Sequence, residues 1–236
     1  MQRILLPLVV VAAGGCTTFN NARPLEPGQH AASLTLGGPL TNVPGVGPIP
    51  LPNVTIEGRH GVMHHLDVNY GLHVLPMVFG VAGGHAGATW QFNDQDELCP
   101  ALSVGQRFFF FTNLFDGRKT VRKDAFAMSQ TDLTASWLIY DQLLYLGASA
   151  YVPLDEGSRT LRLAPVLGVE VHPGLDWLRI QLETRWLAPD VDQRFAVVDW
   201  ISPDDKGGIA INLGVAVVIS DLLKAMSGED KTEEHQ

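Results

Sequence analysis

The chain has 236 residues and a formal net charge of −9, which argues against nucleic acid as a partner. Charged residues make up only 17% of it and hydrophobic residues 46%, where soluble domains carry roughly 25% charge. No segment approaches the run of about 18 to 20 apolar residues that a spanning helix needs, so the composition points to strands in lipid.

The first element is an export leader. "MQRILLPLVVVAAGGCTTF" sets a basic Arg3 before an apolar run from Ile4 to Ala13, too short to span a bilayer but fitting a signal peptide. Its ending, Ala13-Gly14-Gly15-Cys16, resembles the lipobox of bacterial lipoproteins, although Ala13 stands where Leu is commoner. The resemblance implies cleavage before Cys16, a covalent diacylglycerol on its sulfur and an acyl chain on its new amino group. Thr17 follows where Asp would favour inner-membrane retention, so the resemblance also implies outer-membrane delivery by the lipoprotein sorting machinery. The other cysteine is Cys99, and a disulfide from the N-terminus to a turn would be an odd framework. The expected organisation is a leader over 1–15, a lipid-anchored tether over 16–28, a β-barrel over 29–220 and a polar periplasmic tail over 221–236.

From about residue 29 to 220 the hydrophobic period is two. It predicts about ten strands, at 30–36, 53–60, 65–74, 78–92, 100–112, 127–140, 143–152, 160–172, 176–189 and 208–220. In the ninth, Leu178, Ile180, Leu182 and Trp186 alternate with Arg179, Gln181, Glu183 and Arg185. The third and eighth alternate in the same way. Connections mostly alternate between long and short, as in outer-membrane barrels with long outer loops and tight periplasmic turns. The middle of the chain breaks the pattern, since "LPM" is short for an outer loop and "NDQDELC" long for a turn, which leaves room for a missed strand.

Alternation alone leaves two architectures. In a soluble lipocalin-like barrel, Leu178, Ile180 and Leu182 would line a cavity for an apolar ligand. In a membrane barrel they face lipid, because an Arg facing lipid at the midplane costs about 2–4 kcal/mol. The long apolar rows favour the membrane. So do Trp90, Phe92, Trp137, Tyr140, Trp177 and Trp186, placed mostly near strand ends where interfacial girdles sit. The expected fold is all-β, an antiparallel up-and-down transmembrane-type barrel with both termini periplasmic. Its lumen would hold a mixed-charge network of Asp67, Asp132, Arg162, Glu170, Arg179, Glu183 and Arg185. Asn212, Gly214, Val217 and Ile219 resemble the terminal assembly signal of outer-membrane barrels, with aliphatic residues in place of aromatic ones. That resemblance implies the barrel assembly machinery and outer-membrane lipid as partners.

Sites of chemistry are sparse. His64, His65, Asp67 and His73 lack a His-x-His or Cys-His pair and read as polar fillers, so neither a metal nor another cofactor is expected. Ser136, Ser149 and His172 could serve a barrel enzyme acting on envelope lipid, but there is no Gly-x-Ser-x-Gly elbow and no His-Glu-x-x-His. The Gly-rich "GVAGGHAGATW" reads as a closely packed strand rather than a phosphate loop. Arg118, Lys119, Arg122 and Lys123 form a basic patch on an expected outer loop, able to meet lipid phosphates. A structural or interaction role, or passage of a small solute, fits these features.

Overall fold

The structure is a computed structural model that describes residues 18–43, 45–114, 125–154, 161–192 and 200–227. Its strands are β1 His30–Val43, β2 Gly47–Pro50, β3 Asn53–Met63, β4 Leu66–His73, β5 Val81–Asn93 and β6 Ala101–Asn113. They continue as β7 Ala125–Ile139, β8 Gln142–Pro153, β9 Arg162–Val171, β10 Leu178–Asp192 and β11 Lys206–Val218. Each pairs antiparallel with its neighbour, and β11 returns to pair with β1 from Ala31↔Val218 to Pro39↔Ala210. Ten strands thus close an up-and-down barrel among the described residues, while β2 only folds back on the end of β1. Closure leaves no strand edge unpaired, the condition for a sheet to sit in hydrocarbon.

Each of the ten expected strands has one counterpart. The irregular middle of the chain hides no further strand. The short connection after β4 is a single helical turn, α1 Val74–Val78, and the longer one after β5 is pinned by Asp96 and Cys99, which exchange backbone hydrogen bonds at 3.1 and 2.7 Å. The β7–β8 turn takes only Tyr140 and Asp141, with φ of 49° and 61°. Both are left-handed, as a two-residue hairpin turn requires.

One barrel end carries residues 64–65, 94–100, 140–141 and 172–177, and is called the turn end here. The other carries the β1–β2 hairpin, α1 and the longer connections, and is the loop end.

The faces resolve the two architectures. Leu34, Ile56, Leu72, Leu133, Leu167 and Leu213 all point outward and are exposed. Neighbours in sequence take opposite sides: Leu182 is 48% exposed, whereas Glu183 is 0%. Ile180 and Leu182 therefore line the outside of the barrel and no ligand cavity. In water, an apolar belt around ten strands would far exceed the few hundred Å² of patch usual on soluble proteins. Trp90, Phe92, Trp137, Tyr140 and Trp177 cluster at or near the turn end, while Trp186 stands towards the loop end with its indole N–H donating to Lys206 O at 2.9 Å.

The C-terminal region departs from expectation. Rather than a polar tail from residue 221, β11 leads directly into a helix, α2 Ile219–Ser227. Ile219, Leu223 and Met226 are exposed at helical spacing, giving α2 an apolar stripe. Gln29 Nε2 donates to Asp221 Oδ2 at 3.2 Å and ties α2 to the start of β1. The last nine positions of the expected tail, 228–236, lie outside the described residues, as does the leader.

Candidate functional site

The lumen is the candidate site, and its main occupant is the chain itself. Residues 18–28, expected as part of a lipid-anchored tether, run back from the start of β1 into the barrel interior. Thr18, Phe19, Asn20, Asn21, Ala22 and Leu25 are buried there. The physical reason is backbone satisfaction. Pro24 and Pro27 lack an N–H and suit neither a helix interior nor a sheet ladder, so this backbone must bond to side chains. The wall supplies them. Gly214 on β11 makes room for the Phe19 ring, since a Cβ there would lie 1.9 Å from Phe19 Cε2. Gly61 does the same at the turn end, where a Cβ would meet Glu26 O at 2.0 Å.

Halfway up the barrel lies a connected set of buried charges. Arg185 on β10 donates to Glu183 Oε1 at 2.6 Å and to the Tyr151 hydroxyl at 2.6 Å. The Tyr145 hydroxyl donates to Glu183 Oε2 at 3.0 Å. Asp132 on β7 accepts from Ser149 Oγ at 2.5 Å, Gln130 Nε2 at 2.7 Å and Arg107 Nη1 at 3.3 Å. Thr18 joins the two halves: its hydroxyl accepts from Arg107 at 3.3 Å and its carbonyl from Arg185 at 2.5 Å. Each carboxylate here has a cation and further donors, the condition under which buried ions are tolerated.

Two smaller groups sit nearer the turn end. Arg59 on β3 pairs with Asp67 on β4. Glu170 on β9 takes His172 at 3.0 Å and Arg179 at 3.5 Å. Arg23 reaches from the inserted segment to Ser136 Oγ at 3.1 Å. Its partial burial pulls the guanidinium below its ordinary pKa, against the opposing pull of Asp94 and Glu170.

Above the charged layer the lumen changes character. Val81, Phe109, Phe111, Met128, Tyr151 and Ala164 form one buried apolar cluster, with Phe126 and Leu187 packed against it. These side chains come from the consecutive strands β5 through β10. His73 and His85 adjoin the cluster, with ring centroids 5.7 and 5.3 Å from that of Phe109. His85 approaches Glu57 Oε2 at 3.2 Å.

Of the seven charges expected in the lumen, Asp67, Asp132, Glu170, Glu183 and Arg185 are buried in it and Arg179 is partly so. Arg162 is not among them. It stands at the loop end of β9 and pairs with Asp190, the two side chains being 33% and 56% exposed. Its strand begins there, so the alternation that turns it inward acts only at the rim. Glu57 and Arg107 are buried lumen charges, and Arg59 a partly buried one, that went unselected, although the alternation Thr55, Glu57, Arg59 was there to be read. At Arg107, the four phenylalanines that follow hide the alternation.

His64 and His65 are exposed at the β3–β4 turn, away from buried His73. No group of three or more metal-ligating side chains occurs among the described residues. Ser149 bonds to Asp132, and its level on β8 is six residues from that of Leu143, which pairs with Glu170 beside His172. That is about 20 Å along a strand, so Ser149 and His172 form no nucleophile–base pair. Ser136 accepts from Arg23. Cys16 and the basic patch of Arg118, Lys119, Arg122 and Lys123 lie outside the described residues.

No protein-family model matches the chain, and no curated protein is similar to it in sequence. Among solved structures, the NanC porin in a rhombohedral crystal form aligns with a TM-score of 0.41 at 10% identity, over 80% of this chain and 98% of that one. Ail, the attachment invasion locus protein of Yersinia pestis, aligns with a TM-score of 0.27 at 10% identity, over 81% and 98%. Ail in complex with the heparin analogue sucrose octasulfate gives a TM-score of 0.27 at 11% identity, over the same shares. At this distance the likeness carries nothing about activity; the closed strand pairing and the apolar outer face make this a transmembrane-type β-barrel.

Proposed function

We propose that this protein is a lipid-anchored barrel of the bacterial outer membrane with a structural or interaction role, rather than an open pore. On this reading Cys16 carries the lipid and the turn end faces the periplasm. The barrel is inserted by the assembly machinery and the lipoprotein is delivered by the sorting machinery. The observation that supports it best is the apolar cluster around Phe109, Phe111 and Met128, which packs the wall's own side chains into the lumen towards the loop end. A void beside the inserted segment, between Phe19, Glu57, Arg59 and Glu170, offers about 10 Å³, room for one water. A solute path would need both regions to move.

The test combines two measurements on the membrane fraction after a high-pH carbonate wash. The protein is expected to run faster in SDS when unboiled than when boiled, and to give no steady conductance in a planar bilayer. Equal migration, together with a freely soluble Cys16→Ser version, would remove the membrane reading. A stable open channel would return solute passage to first place.

A further inference from the structure

The segment inside the lumen is held through both its main chain and its side chains. Arg185 donates to Thr18 O at 2.5 Å, Ser103 to Ala22 O at 2.9 Å and Arg59 to Arg23 O at 2.7 Å. Asn20 N donates to Glu183 Oε2 at 2.9 Å and Leu25 N to Asp67 Oδ2 at 3.2 Å. Five side chains on β3, β4, β6 and β10 thus serve as donors or acceptors for one extended backbone. Asn21 Nδ2 donates to Glu57 Oε1 at 3.2 Å, and the Thr18 hydroxyl and the Arg23 guanidinium add further bonds, so the lumen fits an extended peptide with this polar character.

The same segment leads to the lipid-bearing cysteine. Thr18 is fully buried at the level of Arg107 and Arg185. Cys16 precedes Thr18 by two residues in the sequence, a covalent span of at most about 7 Å. To enter the leaflet outside the wall at the turn end, an acyl chain on Cys16 would have to draw the chain back along the path by which residues 18–28 came in. The wall blocks any shorter route, because its strands are hydrogen-bonded all the way round. Withdrawal is physically tolerable. The lower lumen would then be open to water at the turn end, and the charges that bonded the segment would exchange it for water.

We propose that the lower lumen is a binding site for an extended polar peptide, filled by residues 18–28 when Cys16 is unanchored and vacated when its acyl chains enter the leaflet. The apolar cluster above would remain closed in both states, so the exchange exposes a blind vestibule rather than a channel. This inference rests on the lipid-anchor reading above.

The experiment places Ala22→Cys and Ser103→Cys in the full chain with Cys99→Ser, and bridges the pair in membranes with a short thiol-reactive reagent. A Cys16→Ser form exported on an ordinary cleavable leader provides the unanchored comparison, and mass spectrometry reports acylation of each population. Acylated chains are expected to bridge at least ten-fold less than Cys16→Ser chains. A fluorescent peptide of residues 18–28, added to the otherwise unsubstituted protein, is expected to bind the acylated form at least ten-fold more tightly than the Cys16→Ser form. Equal bridging in acylated chains overturns the exchange. Reduced bridging without peptide binding overturns the site. Absence of any acyl group on Cys16 removes the anchor reading itself, and the exchange with it. Unboiled gel mobility reports folding, and the peptide measurement stands if the double-cysteine chain does not fold.

Discussion

The two halves of the lumen are built from the same strands and filled in opposite ways. Towards the turn end the interior is polar, and the chain's own backbone occupies it, bonded to Arg59, Asp67, Ser103, Glu183 and Arg185. Towards the loop end the interior holds an apolar cluster around Phe109, Phe111 and Met128, with buried His73 and His85 beside it. The difference follows from what each filler needs. An inserted backbone brings N–H and C=O groups that must be paired, so its wall has to offer donors and acceptors. Packed side chains bring no such demand, so their wall can be hydrocarbon. Tyr151 stands at the seam, with its ring in the apolar cluster and its hydroxyl accepting from Arg185.

Substitutions in each half should break this contrast in different ways, and the unboiled-to-boiled mobility transition, followed against temperature or urea, measures all of them. Arg185→Ala should do most damage. It leaves Glu183 buried without its cation and frees Thr18 O, a loss of about 3–5 kcal/mol by the usual cost of breaking a buried pair. Phe109→Ala should cost about 3 kcal/mol through the cavity it opens, with no effect on retention of the inserted segment. If Phe109→Ala also released residues 18–28, the halves would be one cooperative unit. Leu182→Arg tests the outer face. A cation towards lipid should cost about 2–3 kcal/mol, whereas a water-facing position would accept it with little change. Arg162→Ala should have the smallest effect, under about 1 kcal/mol, because its pair with Asp190 is exposed at the rim. A larger loss there would mean that the rim pair contributes to the interior network.

A fifth expectation concerns Gly214. Gly214→Val should expel Phe19 from its seat, because the first added carbon would overlap the ring. Ala22 should then become more reactive towards thiol reagents when replaced by cysteine, while the mobility shift persists. Unchanged protection would show that Phe19 is not what keeps the segment in place.

Much of the wall was legible because its code is local. A strand's side chains alternate whatever the rest of the chain does, so Leu182 and Glu183 announce opposite faces from their spacing alone. The same local rule found Asp132, Glu183 and Arg185. It was less useful where alternation is masked, as at Arg107 before four phenylalanines, or where a strand stops, as at Arg162. It could not supply the contents of the lumen. Asparagine, arginine and proline in "TFNNARPLEP" look like any solvated linker, and the signal that they are buried lies in Gly214, Gly61 and Ser103, distant in sequence.

The amino-acid sequence by itself determined the all-β character, a count of about ten strands, and which side chains share a face. Each of these follows from a period of two and from where that period is interrupted. Only the tertiary structure decided that the apolar rows face outward, that Arg162 stays at the rim, and that residues 18–28 fill the barrel they precede. The first depends on which way a sheet curls, and the others on which groups meet across a closed interior. Those are relations between residues distant in sequence, 167 positions apart for Thr18 and Arg185, and no local pattern encodes them.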